Sequence, residues 1–404
     1  KDSVVNAVDT DTNSTNILPA CNSIYGIDFL KSINNSKDNF YYNIEAEVII
    51  EKDKALIKET LHCIPHEENR TNTILLYVPS LNSATTKINN IVSSRKTLNY
   101  ELQDLMLKIR LVDSDNILTN NHNDSEPDND PNSVNDSIDD NIDDNIINTL
   151  SIEYEIMLNK STGTISHSNK HVFLTNFLIT PAVIKNGKPV VICKSDFGDP
   201  YIYSTNNYKI NFLVDKNASI YAPGNKKVRE EDNGKKNVCF EASQLRDFPA
   251  VILIENKSTN FIHDIQVEKV KNTEIYFINS SEAKNFVKES FLFADENIGR
   301  YPYDKLFIVE ADMPLKGMEF SNMIFISDDI LNGKEQLRRV IYHEVFHQWF
   351  YGIVGTDQIN EPFLDEGLVN YLALHLTGDK LGNTYDNGFF KKNLNGYKST
   401  NEYY

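Results

Sequence analysis

The chain has 404 residues, 40% of them hydrophobic, and a formal net charge of −18 at pH 7. That length can bury a large core and suits two or three domains, while the acidity argues against nucleic acid or an anionic membrane surface as partner. No apolar run reaches the roughly eighteen residues that a membrane-spanning helix needs, so the chain carries no membrane segment of that kind.

Residues 1–20 are rich in Asp, Asn and Thr and read as a flexible tail. Leu18-Pro19-Ala20-Cys21 has the letters of a lipoprotein cleavage box, but no apolar segment precedes it. From Tyr41 to Val112 strand patterns repeat, as in Thr73-Ile-Leu-Leu-Tyr-Val. Asp113 to Ile147 breaks the pattern with 11 acidic residues, no Lys or Arg, and Asp-Asn-Ile after Asp twice in tandem. It reads as an acidic low-complexity insert. Its Asp128, Asp130 and Asn132 resemble a calcium loop in spacing, but the Gly and Glu such a loop needs are missing, which favours a solvated segment. Strand patterns resume from Thr149 to about Val267. Residues 21–270 therefore read as one N-terminal β domain. The four cysteines, Cys21, Cys63, Cys193 and Cys239, have no metal-like spacing, and buried free thiols are the expectation, with a disulfide open if the chain is extracellular.

The last third, residues 271–404, mixes helix and strand signals. Ser280 to Ile298 is helical, capped by Ser280 or Ser281, with Phe286, Val287, Phe291 and Ala294 on its core face. Leu306-Phe-Ile-Val is a strand. Asn332-Gly333-Lys334-Glu335 reads as a capping box opening a helix whose apolar residues run from Leu337 to Tyr351, with Gly352 and Gly355 to end it. Pro362 opens a second helical stretch that continues to Gly378.

The first of these two helices contains His343-Glu344-Val345-Phe346-His347. Histidines four residues apart lie one turn apart on one helix face, so both imidazoles can reach one metal ion. Glu344 is placed to act as general base on a water, and Glu366, which follows His347 after eighteen intervening residues, supplies a third ligand. A His2Glu set with one open position is the pattern of a catalytic zinc site, so one Zn2+ per chain is expected, with His343, His347 and Glu366 as metal ligands. Asp365, beside the third ligand, is a candidate either for orienting a ligand histidine or for balancing the helix N-terminus.

The stretch from His343 to Gln358, continued by Glu361-Pro-Phe-Leu-Asp-Glu-Gly, closely resembles the gluzincins of the membrane alanyl aminopeptidase (aminopeptidase N) family, to which leukotriene A4 hydrolase also belongs. Lys316-Gly317-Met318-Glu319-Phe320 falls where that family carries Gly-x-Met-Glu-Asn; Arg300-Tyr-Pro-Tyr and Arg246-Asp247-Phe248 also look like family landmarks. The resemblance implies a saddle or sandwich-like N-terminal β domain, a thermolysin-like α+β catalytic domain, and a zinc aminopeptidase acting on peptides. It implies that Glu319 binds the free α-amine and that Gly317 and Met318 form a substrate-facing edge strand. Lys316, Phe320 and Phe363 depart from the family pattern. The family's oxyanion-stabilising tyrosine lies well downstream of the third ligand, and Tyr397, Tyr403 and Tyr404 fall too early for it. The expectation is thus an incomplete catalytic domain, weakly active or inactive, from a cell-surface or extracellular parent, with the cytoplasm left open. A catalytically silent binding or scaffold protein on the same fold is the alternative from another class, and an endopeptidase or non-peptide hydrolase a third. Side-chain preference and oligomeric state are not legible.

Overall fold

The computed structural model describes residues 41–51, 53–64, 73–79, 86–93, 98–103, 105–110, 149–160, 163–185, 188–190, 204–230, 234–255, 262–358 and 361–378. The polar tail, the Leu18–Cys21 letters, the acidic insert, Cys193 and the three late tyrosines lie outside these residues. The fold is α+β, with most strands in the first two-thirds and the helices in the last third.

The largest sheet has seven strands. In spatial order they are Asn225–Glu230, Lys235–Leu245, Asn206–Asp215, Tyr41–Ile50, Lys54–Ile64, Thr149–Met157 and Thr86–Ser93. Asn206–Asp215 alternates strictly between buried and exposed positions, as a strand with one face on the core must. Tyr41–Ile50 pairs parallel with it, Asn43 opposite Asn207, and antiparallel with Lys54–Ile64. A four-stranded, a five-stranded and a two-stranded sheet complete the region, and the inward side chains of the three largest sheets merge into one core that includes Ile57, Leu76, Phe177, Phe212 and Phe240.

The last third builds a mixed five-stranded sheet in the order Ile265–Val270, Thr273–Ile278, Lys305–Ala311, Met323–Ser327, Gly317–Phe320. Helix α1 (Lys284–Asn297) makes the crossover between the parallel strands Thr273–Ile278 and Lys305–Ala311. Helices α2 (Lys334–His347) and α3 (Glu366–Thr377) follow the sheet. Phe291, Ile308, Ile341, Phe346 and Trp349 pack helices against one sheet face. Phe173, Val251 and Leu253, from the preceding region, pack with Phe307, Met318 and Phe325 on the other. Covered on both faces, Met323–Ser327 is buried at every position and reads as a continuous apolar run rather than an alternating one.

Helix boundaries differ from the sequence expectation in physical detail. Ser280 does not cap α1: its hydroxyl donates to the Ile308 carbonyl at 2.9 Å, and a 3-10 turn over Ser281–Ala283 precedes the helix. The expected capping box at Asn332 does not form, because α2 starts one residue later with Gly333 at the cap and no side-chain bond. α2 also ends at His347, not Tyr351; apolar spacing continues past it because the following turns are themselves buried. Pro362 does not begin α3 but accepts from Glu366 N–H at 3.0 Å in the turn before it. Among the described residues no helix is long and apolar enough to cross a membrane. Cys239 is a free, half-buried thiol.

One carboxyl lies wholly inside the β-rich core. Glu59 Oε2 accepts from the Tyr154 hydroxyl at 2.5 Å and from Ile179 N–H at 2.9 Å. Burial pushes its pKa from 4.5 up to about 8. An acid whose folded pKa is raised favours folding at low pH, and that contribution is lost as pH climbs from 4.5 through about 8. Wild-type stability should therefore fall by about a few kcal/mol across that window. Glu59→Gln should flatten the dependence, as read by thermal unfolding at several pH values; parallel curves for the two proteins would contradict the assignment.

Candidate metal centre

The centre forms where α2, α3 and the Gly317–Phe320 edge strand meet. α2 is buried at every position from Val340 to His347, so its polar residues there face protein rather than water. His343 and His347, one turn apart, stand with their Nε2 atoms 3.0 Å from each other. α3 brings Glu366 against both: Oε2 lies 3.4 Å from His343 Nε2 and Oε1 lies 3.8 Å from His347 Nε2. Two ligands bound at zinc-ligand lengths in a tetrahedron would stand about 3.4 Å apart, so the three separations suit a single ion. These residues form the one group of His, Cys, Asp or Glu among the described residues that could hold a metal, with ligand atoms all within 4.8 Å.

Two of the three residues are oriented by a local feature. His347 Nδ1 lies 3.0 Å from the Phe350 carbonyl oxygen. A carbonyl only accepts, so Nδ1 carries the hydrogen and Nε2 presents its lone pair to the centre. Asp365 does not reach a ligand histidine. Its side chain caps α3 by accepting from Glu366 N–H at 2.8 Å, which fixes where Glu366 starts the helix. Burial pushes Asp365 up to about 6.

The electrostatics follow from crowding these groups into a dry site. Burial drives His347 down to about 4, with the neighbouring His343 adding to it. Burial opposes a charged His343 as well, but the hydrogen bond and charge of Glu366 overcome it and His343 is raised. Glu366 is lowered in turn, His343 outweighing its own desolvation. Two neutral-capable imidazoles and one firmly ionised carboxylate are the donor set that suits a divalent cation.

Glu344 sits next to the cluster and is almost fully buried. Burial raises its carboxyl, and a hydrogen bond to Glu319 works the other way. The edge strand approaches this carboxyl so closely that a Cβ on Gly317 would lie 2.3 Å from Glu344 Oε1. Gly317 thus has a steric reason to be glycine. Met318 is buried in the core on the far face of the sheet. Glu319 is 5% exposed, and its Oε1 lies 3.5 Å from His347 Nδ1.

Residues that sequence reasoning passed over complete the frame. Gln348, directly after the second histidine, donates from Nε2 to the Phe320 carbonyl at 3.0 Å, and its Oε1 accepts from Asn322 N–H and the Tyr301 hydroxyl, each at 3.1 Å. It ties the end of α2 to the edge strand that carries Glu319. The only cue in the sequence is a polar residue among apolar neighbours beside the motif.

Residues 282–402 match the peptidase family M1 domain. Human aminopeptidase B is 33% identical over 110 residues, which cover 26% of this chain and 17% of that protein. Aminopeptidase 2 of Candida albicans is 26% identical over 183 residues, covering 41% of this chain and 20% of the other. The matches therefore span a fifth or less of the length of these curated relatives. Among solved structures, aminopeptidase A of Legionella pneumophila, in complex with aspartic acid, superposes with a TM-score of 0.56 at 15% identity over 86% of this chain and 39% of its own. An M1 zinc metallopeptidase variant from Deinococcus radiodurans gives 0.54 at 12% identity over 86% and 72%. The His343, His347 and Glu366 cluster is seated in the segment that matches the peptidase family M1 domain.

Proposed function

We propose that the chain is a zinc-dependent metallopeptidase that acts as an aminopeptidase on the N-termini of peptides. The observation that carries this reading is the convergence of His343, His347 and Glu366 on one point, with Glu344 beside them. Residues 271–404 would be the catalytic domain and residues 21–270 a β domain that backs it.

Zinc held by the two Nε2 atoms and the Glu366 carboxylate would supply Lewis-acid polarisation of a scissile carbonyl and acidify a water. The chain's own residues do the rest. Glu344 takes the proton from the attacking water and passes it to the nitrogen of the leaving amine. Its burial favours both steps, since a raised pKa brings a carboxylate closer to the working pH of a general base. The Gly317–Phe320 strand lies at the end of its sheet, paired only through Met323–Ser327, so its outer backbone can pair with an extended peptide. A peptide ammonium reaching Glu319 would replace the hydrogen bond between Glu319 and Glu344, which leaves the base free to act.

Three measurements test this reading. Purified chain supplemented with zinc should carry about one ion, and His347→Ala should carry none; an unmutated chain that stays metal-free would sink the proposal. Glu344→Gln should keep its zinc and lose turnover of a free-amine peptide by about 100- to 10,000-fold. Loss of metal in that variant would instead make Glu344 a ligand. Gly317→Ala should also keep zinc yet lose turnover, because the added methyl must displace the Glu344 carboxylate. Unchanged kcat in Gly317→Ala would show that the close approach has no bearing on the base.

A further inference from the structure

The β-rich region enters the site through two consecutive residues at the end of the Lys235–Leu245 strand. Arg246 donates from Nε to the Tyr351 carbonyl and from Nη2 to the Ile353 carbonyl at 3.2 Å. Asp247 is buried. Its Oδ1 accepts from Ser321 N–H at 2.7 Å and its Oδ2 from the Tyr351 hydroxyl at 2.9 Å. The Ser321 hydroxyl closes the loop by accepting from the backbone N–H groups of Arg246 and Asp247, at 3.2 and 3.3 Å. Ser321 directly follows the edge strand that carries Glu319. Tyr351 and Ile353 lie in the turns that follow α2. One dipeptide is therefore bonded to both walls of the metal centre.

The turns after α2 are forced into shape. Tyr351 has φ +134, a region that side chains other than glycine rarely adopt. Such backbone persists only where its surroundings over-determine it, and it concentrates at functional sites. A Cβ on Gly355 would lie 2.1 Å from the Arg246 guanidinium carbon, so only glycine lets Arg246 pass. The forced residue adjoins a functional one. Phe350 precedes Tyr351 and provides the carbonyl that accepts from His347 Nδ1. The Phe350 carbonyl and the Tyr351 N–H share one planar peptide unit, and that N–H donates to the Val354 carbonyl at 3.0 Å. Pinning Tyr351 thus aims the Phe350 carbonyl.

We infer that Arg246 and Asp247 are positioning residues: by clamping Tyr351 they point the Phe350 carbonyl at His347 Nδ1, and so fix the direction in which His347 presents Nε2. The inference rests on the metal-site reading above. It makes the β-rich region a determinant of metal affinity, although it contributes no ligand.

The test uses the full chain loaded with cobalt(II), whose visible absorption reports ligand geometry, beside metal-free samples. Tyr351→Phe removes only the hydroxyl held by Asp247, and Gly355→Ala displaces the Arg246 guanidinium while leaving Asp247 and Tyr351 in place. Both should fold cooperatively, bind cobalt about 10- to 100-fold more weakly, and shift its absorption bands. The metal-free Tyr351→Phe sample should also lose the slowly exchanging Nδ1 proton of His347 in its NMR spectrum. Variants that melt earlier but keep cobalt affinity, bands and the Nδ1 proton would overturn the clamp and leave the metal site standing. An unmutated chain that takes up no cobalt, or a His347→Ala control that still does, would overturn both readings together. If Tyr351→Phe does not fold, the Gly355→Ala result decides alone.

Discussion

A buried polar group must find a partner, and the end of α2 with the residue that follows it carries four of them into the interior within six residues. His343, Glu344, His347 and Gln348 are all at most 4% exposed. Most of the local architecture can be understood as the partners that this burial demands. Gln348 uses both ends of its amide on the edge strand and its turn. His347 takes a backbone carbonyl and the Glu366 carboxylate. What stays without a hydrogen-bond partner is informative in its turn: His343 Nδ1 and Glu344 Oε2 are buried and unsatisfied. A buried carboxylate oxygen in that state costs about 1–3 kcal/mol or more, and Glu59 Oε1 in the β-rich core is left in the same state.

Much of the centre was legible because its chemistry is local. The four-residue spacing of two histidines is a statement about one helix face, and it survives any error in where the helix begins or ends. The helix ends themselves were misplaced by a few residues at Asn332, Tyr351 and Pro362, because burial rather than propensity decides how those turns close. Gln348, the Phe350 carbonyl and the Arg246–Asp247 pair were not legible as parts of the site. Asp247 meets Tyr351 from 104 residues away and Ser321 from 74, and no periodicity encodes contacts across that separation. Gly317 was noticed through a family motif, yet its reason, a carboxylate that leaves no room for a methyl group, appears only in three dimensions.

The two layers of the molecule share their load at one surface. Phe173, Val251 and Leu253 cover the sheet face opposite the helices, so the strand that carries Glu319 is packed from the β-rich region on one side and tied to α2 on the other. The hydrophobic contact sets its depth and the hydrogen bonds of Gln348 and Asp247 set its register. Neither kind of interaction alone would place the Glu319 carboxylate beside His347.

The parallel pairing of Tyr41–Ile50 with Asn206–Asp215 has a consequence for how the protein comes to be made. The earliest strand of the large sheet lies in its middle, and one of its two neighbours is supplied more than 150 residues later. Until those residues leave the ribosome, that flank is an open row of amide and carbonyl groups, able to pair with whatever strand arrives first. Pairings this distant in sequence are slow to form. The large sheet can therefore close only once Asn206–Asp215 has emerged, and Asp247 then waits a further 104 residues for Tyr351, so the sheet is made before the turns that its clamp residues hold.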